Sequence, residues 1–208
     1  MRARRLIRLT LRALMGTVLA SCISVSTTSN PTPPVPGWIA YSSVETGVAI
    51  TMPPDWRAFD LARDSDAVLA RLTQEGSDPT QTESALEELG RNGSRFVAIG
   101  TVPSGGAAFA YAVSTVLPPE GREAYVSGRP QTIGRTVVLT EHLRGNVGDV
   151  LHQRVRTAES NNSPSLQEQF FVERFDRLYV LFIQYQERAG PEFSRNMTLM
   201  GRAFTPIR

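Results

Sequence analysis

The sequence predicts an α+β fold in which an antiparallel sheet is flanked by helices on both faces, an α/β/α sandwich. Three observations carry this expectation. Six segments after residue 94 have the two-residue alternation of strands, and one of them is apolar on both sides. Two helical patterns precede those segments and a third follows them, so helices are available for both faces. The stretch from Trp38 to Arg208, about 170 residues, forms one core and buries ~70% of the surface its unfolded chain exposes.

The elements follow in order. Trp38–Ser42 and Thr46–Met52 read as two short strands around a Glu45-centred turn, ended by Pro53-Pro54; Asp55–Phe59 then resumes extended structure. Between Asp64 and Glu75, Val68, Leu69 and Leu72 share one helical face. Thr80-Gln81-Thr82-Glu83 has the form of a capping box opening a second helix, with Ala85, Leu86 and Leu89 inward and Gly93 as its stop. Strands are expected at Arg95–Thr101, Ala107–Leu117, about Thr136–Leu143, Val147–Thr157, Leu166–Phe175 and Arg177–Tyr185. In the second, Phe109, Tyr111 and Val113 alternate with Ala108, Ala110 and Ala112, which calls for a helix close against the small side. Leu178–Ile183 is apolar throughout and belongs in the middle of a sheet. A last helix opens at Pro191 and Glu192 and turns Phe193, Met197, Met200 and Phe204 inward.

The N-terminus carries a different kind of signal. Five Arg within twelve residues precede the apolar run Ala13–Leu19, which is too short for a transmembrane span and has the layout of an export signal. It ends Leu19-Ala20-Ser21-Cys22, and Cys22 is the only cysteine of 208 residues. These four residues resemble the bacterial lipobox, in which small side chains fit the processing peptidase and the cysteine thiol takes up a diacylglycerol. Residues 1–21 are therefore expected to be a signal peptide, cut between Ser21 and Cys22. Residues 22–37, the acylated cysteine and an uncharged Pro/Ser/Thr-rich stretch, form a tether, and 38–208 form one globular domain.

Charge and composition exclude several classes of function. All 22 basic residues are Arg, which removes lysine nucleophiles, Schiff bases and the P-loop lysine. From Cys22 onward 17 Arg face 20 acidic residues, a net charge of −3, so the domain lacks the basic footprint of a nucleic-acid-binding protein. No G-x-S-x-G elbow occurs, and Pro103-Ser104-Gly105-Gly106 reads as a hairpin turn. The imidazole bases are His142 and His152, each within a strand and beside Glu141 and Asp149 respectively. Neither is assigned a catalytic role, and no metal site or cofactor is assigned. His152, Arg154 and Arg156 share one side of their strand, a face that suits an anionic group; the same cations are placed to pair instead with Glu168 or Glu173 on the next strand. Trp38 and Trp56 flank the first strands and are expected to pack in the core.

Taken together, the lipoprotein signal, the tether, the strand pair leading into Met52-Pro53-Pro54-Asp55-Trp56, the helices, the antiparallel ladder and the closing Phe204-Thr205-Pro206 resemble the PsbP-like α/β/α fold. The likeness is to bacterial envelope lipoproteins of the LpqT, LpqN and DcrB type. That resemblance implies a binding or accessory module without a shared catalytic constellation. The expectation is a non-enzymatic protein held by Cys22 on the extracytoplasmic side of the cell membrane, with an envelope protein or small ligand as partner. One alternative is an envelope hydrolase or metal-dependent enzyme using His142 or His152. Another is a carrier of a small apolar ligand.

Overall fold

The structure is a computed structural model and describes residues 35–128, 134–157 and 164–208. The signal peptide, the cleavage point at Ser21 and Cys22, and the tether as far as residue 34 lie outside the described residues.

Among the described residues, two antiparallel sheets and four α-helices make up the fold. Strands β1 (Ile39–Ser43) and β2 (Val48–Met52) form a hairpin. After β3 (Arg57–Asp60) come α1 (Leu61–Gln74) and α2 (Pro79–Arg91), then β4 (Phe96–Thr101) and β5 (Ala107–Val116). A short α3 (Gly121–Ser127) precedes the long meander β6 (Arg135–Gly145), β7 (Gly148–Thr157), β8 (Ser165–Arg174) and β9 (Arg177–Gln186). A 3-10 turn at Glu187–Ala189 leads into α4 (Gly190–Ala203), and β10 (Thr205–Pro206) is the last strand. The main sheet has the order β3-β4-β5-β9-β8-β7-β6, which puts β9 and its apolar run Leu178–Ile183 at the centre, as that run requires.

The opening hairpin does not join that sheet. Pro53 and Pro54 lack the N–H groups a ladder needs, and β1 and β2 instead form a separate three-stranded sheet with β10, Thr205 lying opposite Ala49. Helix α2 also begins earlier than its Thr80 box implies: Asp78 is the N-cap, its carboxylate accepting from the Gln81 amide at 2.8 Å, with Pro79 in the first turn. Helix α3 has no counterpart in the sequence reading. It is seven residues long and its N-cap, Glu120, makes no side-chain capping bond.

Helices cover both faces of the main sheet. On one face α1 and α2 pack Leu61, Val68, Leu72 and Leu86 on Val97 and Ile99 of β4, and further along Val126 of α3 meets Leu151, Phe171 and Val180. On the other, Phe193, Met197 and Met200 of α4 join Ala98, Ala110, Phe170, Leu181 and Ile183, together with Val48, Ile50 and Met52 of the small sheet. The alanine side of β5 thus faces a core shared by a helix and a second sheet, where a helix alone had been expected. The tightest approach there is made by Trp56, itself 2% exposed. A Cβ built on Gly100 would lie 2.2 Å from the Trp56 indole. Gly201 plays the same part for α4, since a Cβ there would lie 2.3 Å from the Phe170 ring. Among the described residues no helix is long and apolar enough to cross a membrane.

Candidate functional site

Strand alternation places the even-numbered residues of β7 and β8 on the α4 side, and this face carries the fully buried Glu168 and His152. Glu168 is completely buried at the middle of β8. Its Oε2 accepts from His152 Nε2 at 2.7 Å, and its Oε1 accepts from Arg154 Nε at 2.8 Å, the Tyr185 hydroxyl at 2.5 Å and Ser194 Oγ at 3.3 Å. These donors come from β7, β9 and α4, so one carboxylate ties three elements together. His152 is equally buried; its Nδ1 meets Glu141 Oε1 at 2.9 Å, and its ring stacks on Phe170 at 4.6 Å and 3°. With a carboxylate oxygen on each ring nitrogen, only the doubly protonated imidazole donates to both.

Burial alone would raise the pKa of Glu168. Hydrogen bonds from His152 and Tyr185 and the charges of His152 and Arg154 outweigh it and hold the carboxyl below the usual range. Burial, reinforced by the charge of Glu168, pushes the Tyr185 phenol up, so this hydroxyl serves as a fixed donor.

The anionic group expected on the His152–Arg154–Arg156 face is supplied from within the chain. Arg154 gives Nε to Glu168 and Nη2 to Ser194 Oγ at 2.5 Å, while Arg156 pairs with Glu187 in the 3-10 turn. Glu173 takes neither; it accepts from the backbone N–H of Arg122. Beside the network runs an open groove of about 630 Å³, lined by Arg154, Leu166, Glu187, Ser194, Arg195 and Arg202 among others.

A second cluster lies on the opposite face. His142 Nδ1 meets Asp149 Oδ2 at 3.0 Å and Oδ1 at 3.2 Å. The histidines thus exchange the partners that adjacency in sequence offers. The β6–β7 register sets Glu141 directly across from His152 and leaves His142 to Asp149. The same alternation puts the imidazoles on opposite faces, so a shared two-histidine metal site is geometrically impossible.

Donor atoms of Glu123, His142 and Asp149 all lie within 4.8 Å of one another, a set with the chemistry of a divalent-cation site. A cation is nevertheless already provided. The Arg122 guanidinium, 8% exposed, donates to Glu123 Oε1 at 2.8 Å and Asp149 Oδ2 at 2.5 Å, and its Nη1 is fixed by the carbonyls of Asp149 and Phe171. Hydrogen bonding to Arg122 lowers the pKa of Glu123; for Asp149, bonds from His142 and Arg122 overcome the effect of burial and lower it too. Arg122 and Glu123 escaped sequence reasoning with the short helix that carries them. Ser194 was visible in principle, because it lies three residues before Met197 on the inward stripe of α4.

No family model matches the chain, and no curated protein matches it. Solved structures do. The chain is similar to PA94 of Pseudomonas aeruginosa, a protein of unknown function, with a TM-score of 0.44 and 10% identity over 82% of this chain and 98% of that one. It is likewise similar to CyanoP, the PsbP of the cyanobacterium Synechocystis sp. PCC 6803, with a TM-score of 0.43 and 12% identity over 86% of this chain and 98% of that one.

Proposed function

We propose that the chain is a lipid-anchored extracytoplasmic lipoprotein whose α/β/α domain is a non-catalytic binding or accessory module of the cell envelope. Attachment through Cys22 is supported by the placement of the sole cysteine at the end of Leu19-Ala20-Ser21; two or more acyl chains there give stable anchoring. The observation that carries the non-catalytic reading is the state of the imidazoles. Among the described residues both hydrogen-bond to carboxylates and to no hydroxyl nucleophile, and His152 is sealed between Glu141 and Glu168. The fixed, satisfied network braces a surface. The partner is an envelope protein or a small ligand reached from the membrane by the tether.

The test is metabolic labelling of the full chain with an alkyne-bearing palmitate, followed by membrane fractionation. The native chain takes the label and pellets with membranes, and the Cys22→Ala chain does neither. Labelling that survives the substitution overturns the anchor. One observation favours a hydrolase as the second reading: Asp149 holds the Nδ1 side of His142, as an orienting acid holds a general base. Full complementation of a deletion strain by His142→Gln removes it.

A further inference from the structure

We propose that the groove between α4 and the β7–β8 face binds a small organic oxyanion, a phosphate or carboxylate group carried on an apolar body. This deepens the binding-module reading and is independent of the anchor. At about 630 Å³ the groove has the size of a small-molecule site. Its lining carries more positive than negative charge: Glu168 balances Arg154 and Arg156 balances Glu187, which leaves Arg195 and Arg202 as its net cations.

The guanidiniums still have hydrogen-bonding capacity to offer. Arg154 uses Nε on Glu168 and Nη2 on Ser194, which fixes the plane of its fork and leaves Nη1 without a partner among the described residues. Arg202 uses only Nε, on the Arg144 carbonyl, and Arg195 has no partner among the described residues. A fork held in place in advance loses little freedom on receiving an oxyanion, and planar guanidinium matches carboxylate or phosphate edge to edge. Leu166, Leu199 and Pro191 line the rest of the groove and supply the surface for an apolar body.

The experiment is calorimetric titration of the full chain, purified in non-ionic detergent, with hexyl phosphate, hexanoate and inorganic phosphate. Dihexanoyl phosphatidylglycerol and dihexanoyl phosphatidylcholine are titrated in parallel. Hexyl phosphate or hexanoate binds the native chain, and Arg195→Gln with Arg202→Gln weakens it at least tenfold, the loss expected when charged hydrogen bonds are removed. Phosphatidylglycerol binding more tightly than hexyl phosphate identifies a lipid headgroup as the source of the anion; the reverse identifies a free metabolite. Should the double variant be misfolded by circular dichroism, the exposed Arg195→Gln alone carries the test. Unchanged affinity in a folded variant, or no binding of any probe at millimolar concentration, overturns the site. If that failure comes with a palmitate-labelled Cys22, it leaves the anchor intact.

Discussion

Removing the Glu168 carboxylate should be among the most damaging single changes in the domain, and its size can be worked from the geometry. Glu168→Ala strips four donors of their acceptor, among them the Arg154 guanidinium and His152 Nε2. His152 is wholly buried and Arg154 is 25% exposed, so neither recovers much solvation. Breaking a buried ion pair from one side costs about 3–5 kcal/mol. Glu168→Gln should cost less, about 1.5–3 kcal/mol, the worth of hydrogen bonds to a charged group. There the amide N–H₂ can donate to His152 Nε2 while Nδ1–H keeps Glu141, and the amide oxygen keeps the remaining donors. Urea unfolding followed by tryptophan fluorescence measures both. With m at about 2 kcal/mol/M, the alanine midpoint falls by about 2 M. A loss below ~1 kcal/mol for alanine, or a glutamine variant no milder than alanine, refutes the argument that this carboxylate is the hub.

Other outcomes follow from the same contacts. Glu168 and Asp149 bind fewer protons folded than unfolded in acid, because their folded pKa values are lowered. Their contribution is therefore complete above the usual carboxylate range and lost as pH falls through and below it; thermal melts between pH 7 and pH 2 should show this, with a shallower acid limb in Glu168→Ala. Gly100→Ala drives a methyl into the Trp56 indole and should cost about 1–3 kcal/mol or more, with a changed tryptophan emission; a melt indistinguishable from the native chain contradicts the close approach. Arg156→Gln removes a half-exposed pair with Glu187 and should cost only about 0–1 kcal/mol in the same urea assay. Arg122→Met removes the resident cation from Glu123, His142 and Asp149, and should create affinity for Co²⁺ seen as visible absorption; identical titrations of both chains oppose that account.

What was legible in the sequence was what depends on local period. The strands of the meander emerged within a residue or two because alternation of large and small side chains is itself the structure. The apolar run Leu178–Ile183 announced its central place in the same way. The inward stripe of α4 was equally plain. What was hidden depends on register. Adjacency in sequence pairs His142 with Glu141 and His152 with Asp149, yet neighbours on one strand point to opposite faces, and the partners come from across the hairpin. Arg154 was correctly within reach of Glu168, but Tyr185 and Ser194 joined them only once β9 and α4 were in place. The seven-residue α3 is too short to display a period, and Arg122 and Glu123 were lost with it. Pro53-Pro54 marked where the opening hairpin stops, but its separate sheet with β10 was hidden, because that pairing depends on where Thr205 and Pro206 return.

Phe170 has a consequence for how the groove can move. The ring touches the glycine that lets α4 settle and lies flat on the imidazole at the heart of the polar network. Helix and sheet meet there like two plates with one washer, and the jaw carrying Arg195 and Arg202 cannot swing away without lifting Gly201 off Phe170 and pulling Ser194 from Glu168 and Arg154. The groove is therefore held at a fixed width along α4, and its far end is set by the turn at Glu187–Ala189, which enters the helix through a φ of +86° at Gly190 that a side chain would strain.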